Sequence, residues 1–238
     1  HLASPPPDFQ PHDLLPVYRA MALTRAFDAK AVALQRTGQL RTYPSSLGQE
    51  AVTVGLASVM RAEDVLLPTY RETGAMLWRG VRMQELLLYW SGDERGSDFA
   101  GPREDFPIAV PIASQCGHTV GVGFAFQYRR QPRVAVVTLG DGATSKGDFY
   151  EAMNTAGAWR LPVVFVVTNN QWAISLPARK QTAAATFAQK AIAAGIPGEQ
   201  CDGNDILAVR DCIGRALERA RVGDGPSLIE CEIGRAHV

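Results

Sequence analysis

Residues 134–170 read VAVVTLGDGATSKGDFYEAMNTAGAWRLPVVFVVTNN. Two β-branched apolar runs, 134–139 and 162–168, are each short enough to be a buried strand and each stops at a polar turn. Between them, 147–160 has the spacing of a helix. Two strands joined by a helix of ten or more residues pair in parallel, because a tight turn cannot join parallel neighbours. This one stretch therefore predicts a βαβ unit and a mostly parallel sheet flanked by helices, the α/β class.

The rest of the chain extends that pattern. A helix is expected from Asp13, its cap, to a stop at Gly38. Another helix covers 49–60, and a short strand at 65–67 ends at Pro68. Helical spacing returns at 72–79 and 83–90. Residues 91–111 are rich in turn formers and charges, and a long irregular segment within a domain is usually functional. Helices follow at 117–130, 186–194 and 204–222, the last with Asn204 as cap. A short extended stretch at 199–201 and a strand at 226–232 complete the series. Residues 1–12, with Pro5, Pro6 and Pro7, are expected to form an extended lead-in to one domain spanning 13–238.

Composition narrows the function. The 238 residues hold 24 Lys plus Arg against 24 Asp plus Glu, with 46% apolar and 20% charged residues, so the net charge is zero. That is ordinary globular composition, without the basic excess of a nucleic-acid binder. No segment reaches the ~18 uninterrupted apolar residues of a membrane-spanning helix. The start, HLASPPP, lacks the basic-then-apolar pattern of an export signal. Cys116, Cys201, Cys212 and Cys231 show no metal-type spacing. Reduced thiols and a cytoplasmic location are the resulting expectation.

In a parallel sheet, ligands bind at the carboxyl ends of strands. The first strand of the quoted stretch ends in Gly140-Asp141-Gly142-Ala143, where glycines allow close approach of a ligand and a helix start follows. The second ends in Asn169-Asn170-Gln171-Trp172. A carboxylate, an amide oxygen and a backbone carbonyl, completed by phosphate oxygens and water, suit Mg²⁺. Gly-Asp-Gly or Asn-Asn alone is a common turn. Together, each directly after a buried strand, they point to a Mg-diphosphate site. No P-loop motif is present, and no Gly-x-Gly-x-x-Gly stands at a strand-to-helix turn.

Gly140-Asp141-Gly142 followed by Asn169-Asn170 resembles the thiamine diphosphate motif. The wider stretch is similar to the alpha subunit of the decarboxylating component of 2-oxo acid dehydrogenase complexes. SSLGQEAV (45–52), LLPTYRETG (66–74) and FAQKAIAAGIPGEQCDGND (187–205) carry the same likeness, which runs from about residue 14 to 230. The last of these looks more like pyruvate dehydrogenase than the branched-chain enzyme. The resemblance implies a thiamine diphosphate-binding fold and oxidative decarboxylation of a 2-oxo acid, with pyruvate first and a branched-chain 2-oxo acid or acetoin as alternatives. A non-catalytic Mg-diphosphate-binding assembly module is the alternative of another class.

The resemblance also implies residue roles. Asp141, Asn170 and the Trp172 carbonyl would ligate Mg²⁺. Tyr70 and Arg71 would contact the diphosphate, Gly142 and Ala143 would offer it backbone amides, and the Ile112 backbone would hold the aminopyrimidine. His118, singled out by its place just after the irregular segment, and His237 are the catalytic candidates; for His118 a helix-start histidine with a backbone partner is the equal alternative. Family members carry Tyr-Arg-x-Gly-x-His near the latter, whereas here the Tyr-Arg pair is missing and the spacing altered. The family continues for a further helical stretch, so the domain is expected to be incomplete at its C-terminal end. The implied partners are a beta subunit, supplying a carboxylic acid near the aminopyrimidine, and the lipoyl domain of an acyltransferase that accepts the acyl group. Two alpha and two beta chains would assemble together.

Overall fold

The computed structural model describes residues 14–234, so the lead-in, Asp13 and His237 lie outside the described residues. In chain order the elements are α1 (Leu14–Arg36), α2 (Glu50–Val59), β1 (Val65–Leu67), α3 (Thr73–Trp78), α4 (Met83–Ser91), α5 (Ser114–Tyr128), β2 (Ala135–Gly140), α6 (Gly147–Ala158) and β3 (Val163–Asn169). A small hairpin, β4 (Trp172–Ala173) with β5 (Leu176–Pro177), leads into α7 (Ala178–Gln181). Then come β6 (Gly198–Asp202), α8 (Ile206–Arg221) and β7 (Ser227–Glu232).

The main sheet has the order β1-β2-β3-β7-β6 and all its strands are parallel. Gly140 stands beside Thr168, so the polar ends of β2 and β3 finish level with each other. β1, β2 and β3 are buried on both faces, which is why they read as continuous apolar runs. Alternate residues divide between the faces. Val137, Leu139, Phe165 and Val167 pack under Phe126 of α5 and Phe149 and Met153 of α6. Val136, Val164, Val166 and Ile229 pack under Leu56 of α2 and Val209, Ile213 and Leu217 of α8. A third cluster, with Phe27, Tyr43 and Trp90, joins α1 to α4. No helix among the described residues is long and apolar enough to cross a membrane.

Several expectations need correction. The helical segment expected at 186–194 is found at Phe187–Ala194 and winds as a 3-10 helix. α8 starts two residues later than expected, and its cap is Asp205, whose carboxylate accepts from the Leu207 amide at 2.9 Å. Asn204 instead ties the segment just after β7 to the loop before α2: Oδ1 accepts from the Gly234 amide at 2.7 Å, and Nδ2 donates to the Gly48 carbonyl at 3.4 Å. Both residue types cap helices well, so sequence alone could not choose between neighbours. The hairpin β4–β5 and α7 have no counterpart in the expected series. Part of the irregular segment runs along the open edge of β1, where the Phe106 amide donates to the Leu66 carbonyl at 2.9 Å and Asp105 accepts from the Leu66 amide at 2.8 Å. Covering an edge in this way blocks pairing with other chains.

A buried ion pair fastens α8 to the start of the sheet. Arg221 reaches Asp64 with two bonds, of 3.0 and 3.1 Å, and the two side chains are 5% and 0% exposed. Asp64 also accepts from the Val134 and Arg61 amides. Removing one partner strands a buried charge. Arg221→Met is therefore expected to cost about 3 kcal/mol in urea unfolding, and a loss below about 1 kcal/mol would show that water already reaches the pair.

Candidate functional site

The carboxyl ends of β1, β2 and β3 open into one cavity of about 280 Å³. From the end of β1 come Thr69, Tyr70, Arg71 and Glu72; from β2, Leu139, Gly140, Asp141, Gly142 and Ala143; from β3 and the hairpin, Thr168, Asn170, Trp172, Ala173 and Ile174. The turn before α5 adds Ile112 and Ala113, Gln115 lies in its first turn, and Gln49 lies just before α2. Tyr70, Arg71, Ile112, Asp141, Gly142, Ala143, Asn170 and Trp172, singled out in the sequence, thus meet in one place although they span a hundred residues of chain.

Asp141 opens a 3-10 turn, Asp141–Ser145, directly after β2 and is 1% exposed. Its carboxylate accepts from Gln181 Nε2 at 3.0 Å. Among the described residues no Lys, Arg or His pairs with it. Burial, partly offset by the Gln181 bond and by backbone amides, holds the carboxyl above its ordinary range. A buried carboxylate with only neutral partners favours a cation beside it. Asn170 Oδ1 stands at the neighbouring strand end and accepts from the Trp172 amide at 3.0 Å. One carboxylate with one amide oxygen is a hard, sparse donor set of the kind Mg²⁺ shares with phosphate. Among the described residues no group of three or more His, Cys, Asp or Glu could hold a metal by itself, so a self-contained protein cage is not what is built here.

The two glycines differ. A Cβ on Gly142 would come within 2.7 Å of Ala173 Cβ, so the close approach of the hairpin requires glycine there. Gly140 has ordinary extended backbone, and a Cβ on it would meet nothing within 4 Å. The tight geometry expected at both positions holds at Gly142; Gly140 leaves open space instead.

Arg71 lies over the Tyr70 ring, 5.6 Å from its centre, and its Nη1 donates to the Ser45 carbonyl. That loop is itself held by buried Asp28, which accepts from the Ser45 hydroxyl at 2.7 Å, the Ser46 amide at 2.7 Å and the Tyr43 hydroxyl at 3.0 Å. Among the described residues Arg71 has no carboxylate ion-pair partner, so its guanidinium charge is available to an anion in the cavity.

The lining residues that were not anticipated include Glu72, Gln115 and Gln49. Glu72 is 2% exposed; burial pushes its carboxyl up to about 7, against the smaller opposing effects of the Thr138 hydroxyl and of Arg71. Gln115 Nε2 donates to the Thr138 carbonyl at 2.8 Å, while its Oε1 is buried without a partner among the described residues. Gln49 is 3% exposed. Glu72 and Gln49 lie inside the quoted blocks LLPTYRETG and SSLGQEAV, but nothing local says which way their side chains turn. His118 is not brought to the cavity: it is exposed on α5 and stacks on Phe106, ring centres 6.0 Å apart.

A model of the dehydrogenase E1 component family matches residues 18–238. The chain is 43% identical over 224 residues to the pyruvate dehydrogenase E1 component subunit alpha of Acholeplasma laidlawii, covering 94% of this chain and 65% of the relative. It is 41% identical over 213 residues to the protein of the same name from Mycoplasma genitalium, covering 90% and 60%. It is 46% identical over 214 residues to the 3-methyl-2-oxobutanoate dehydrogenase subunit alpha of Mycobacterium tuberculosis, covering 90% and 58%. The chain thus spans between 58% and 65% of the length of these relatives.

Proposed function

Because the chain belongs to the dehydrogenase E1 component family, we propose that it is the alpha subunit of a thiamine diphosphate-dependent 2-oxo acid dehydrogenase, acting on pyruvate and passing the acyl group to a lipoyl domain. The observation that supports this most is the convergence of Arg71, Asp141 and Asn170 on one cavity at three neighbouring strand ends. On this reading Asp141, Asn170 and the Trp172 carbonyl hold Mg²⁺. Tyr70 and Arg71, with the Gly142 and Ala143 amides, hold the diphosphate. The Ile112 backbone meets the aminopyrimidine.

When bound, thiamine diphosphate supplies the carbanion that adds to the 2-oxo acid and the ring that accepts the electrons released by decarboxylation. This chain's part is to bind, neutralise and orient. Arg71 and the cation held by Asp141 offset the diphosphate charge, and the apolar walls of Ile112, Leu139 and Ala173 keep water from the site. The acid–base group at the aminopyrimidine is proposed to come from outside this chain. Among the cavity's lining residues there is no histidine, and a beta subunit is proposed to contribute the carboxylic acid. His237 keeps only the place that the resemblance gives it.

A branched-chain substrate has one observation in its favour, the 46% identity to 3-methyl-2-oxobutanoate dehydrogenase subunit alpha. Apolar pockets discriminate by only ~1–3 kcal/mol per methylene, so the choice is one for kinetics. The full-length protein assembled with its beta subunit is expected to decarboxylate pyruvate at least about tenfold more efficiently than 2-oxoisovalerate, and to be inactive without the beta subunit. A reversed ratio would move the substrate to the branched-chain acid. Full activity of the alpha chain alone would remove the shared-site reading.

A further inference from the structure

We propose that Glu72 takes up a proton when a diphosphate enters the cavity, so that Arg71 faces the anion with its whole charge. This rests on the reading of the cavity as a diphosphate site.

The geometry makes the case. Glu72 follows Arg71 directly, lines the same cavity and is almost wholly buried. Its Oε2 accepts from the Arg71 backbone amide at 3.2 Å, but the Arg71 guanidinium turns away to the Ser45 carbonyl. Arg71 is the one cation among the described residues lining the cavity, whose other ionisable groups are Tyr70, Asp141 and Glu72 itself. The elements packed around α3 offer Glu72 no second positive charge. On α1 and α2, Arg25 is taken by Glu50 through two bonds of 2.9 and 3.0 Å, and Asp28 is enclosed by Tyr43, Ser45 and Ser46. Below Glu72, β2 presents the Thr138 hydroxyl. From α5 comes neutral Gln115, while His118 stacks on Phe106. An ionised Glu72 would therefore cancel the one guanidinium and repel the incoming anion at short range and low dielectric. Burial already brings the carboxyl to about 7, and a bound diphosphate, still anionic with its magnesium, pushes it higher.

The sign follows by linkage. A group that binds a proton more tightly in the complex makes binding weaker as pH rises above its free value. The test titrates magnesium pyrophosphate into the cofactor-free assembled protein and its E72Q variant, by calorimetry in two buffers of different ionisation enthalpy. Pyrophosphate has no aminopyrimidine, and its own ionisation is common to both proteins, so their difference isolates Glu72. The wild type is expected to take up about half a proton more than E72Q at pH 7 and close to one more at pH 8. Its Kd relative to E72Q should rise about tenfold between pH 6 and pH 8. In the wild type alone, infrared difference spectra at pH 8 should gain a protonated carboxylic acid band on binding, which keeps the test open if E72Q folds poorly. Equal proton counts with parallel pH profiles, or no carboxylic acid band, would overturn the role of Glu72 while leaving the diphosphate site standing. Failure of pyrophosphate to bind either protein would overturn the site itself and this inference with it.

Discussion

Asp141→Ala is expected to abolish magnesium-dependent binding of thiamine diphosphate while leaving the free protein as stable as before, or more so. Loss of a buried carboxylate that holds a cation costs about 4 kcal/mol of binding, roughly a thousandfold in Kd. The stability effect runs the other way. In the free protein the carboxylate is 1% exposed, accepts one side-chain bond, from Gln181, and sits above its ordinary range through burial. A carboxyl raised in the folded state binds protons more tightly there than in the unfolded chain. Its presence therefore costs stability increasingly as pH rises from the unfolded value towards the raised one, and that cost is fully felt above the raised value. Alanine removes it. An aspartate serving only to shape the Gly140-Asp141-Gly142 turn predicts the reverse pair of results, lower stability and little change in binding. Calorimetry with thiamine diphosphate, paired with a urea melt, separates the two. The same titration with a nucleoside diphosphate tests the assembly-module alternative: tighter binding of the nucleotide than of thiamine diphosphate would favour it.

The strand ends could be read from the sequence because each local signal there agreed with the global one. The run at 134–139 has the length, β-branched content and bounding turn of a strand buried on both faces, and it stops at a carboxylate between two glycines. The run at 162–168 does the same before Asn169-Asn170. Parallel pairing then places the two ends level, and the observed register sets Gly140 beside Thr168. Arg71 was legible only through the resemblance that LLPTYRETG carries. Glu72, one residue on, was not, because its burial depends on α1, α2 and α5 closing around a six-residue helix too short to show a period of its own. The same holds for Gln49 and Gln115, whose neighbours come from distant parts of the chain. His118 misled for the opposite reason: its position beside the irregular segment suggested the site, yet the helix phase turns it outward onto Phe106. Residues 187–194 had helical spacing, but nothing local foretold that they wind as a 3-10 helix whose Ala188 amide bonds to Glu230.

Glu230 carries the second large effect, on stability first and on the site through it. It lies on β7, paired with Val167 of β3 and Gln200 of β6, and is 0% exposed. Its carboxylate accepts from Asn169 Nδ2 at 2.8 Å, from the Ala188 amide at 2.8 Å and from Gln200 Nε2 at 3.2 Å. The Ala188 amide belongs to the first turn of the 3-10 helix Phe187–Ala194, where backbone donors have no partner within the helix. One side chain thus fixes a helix start, an edge strand and the residue before Asn170. Asn169 passes the constraint on, its Oδ1 accepting from the Gln171 amide at 2.9 Å in a turn where Gln171 has a φ of 66°. Glu230→Ala leaves buried donors unpaired, and each bond to a charged group is worth about 1.5–3 kcal/mol. A loss of about 4 kcal/mol in urea unfolding is expected after partial relaxation. Asn170 then loses its frame, and magnesium affinity should fall about tenfold, the scale of effect seen when a group supporting a ligand is removed. Asn169→Ala should cost less in the Glu230→Ala background than alone, because the bond the two share is already lost there while the one to the Gln171 amide is not. Full additivity of the two substitutions, or unchanged magnesium affinity in Glu230→Ala, would mean that β7 supports the sheet without holding the metal-side turn in place.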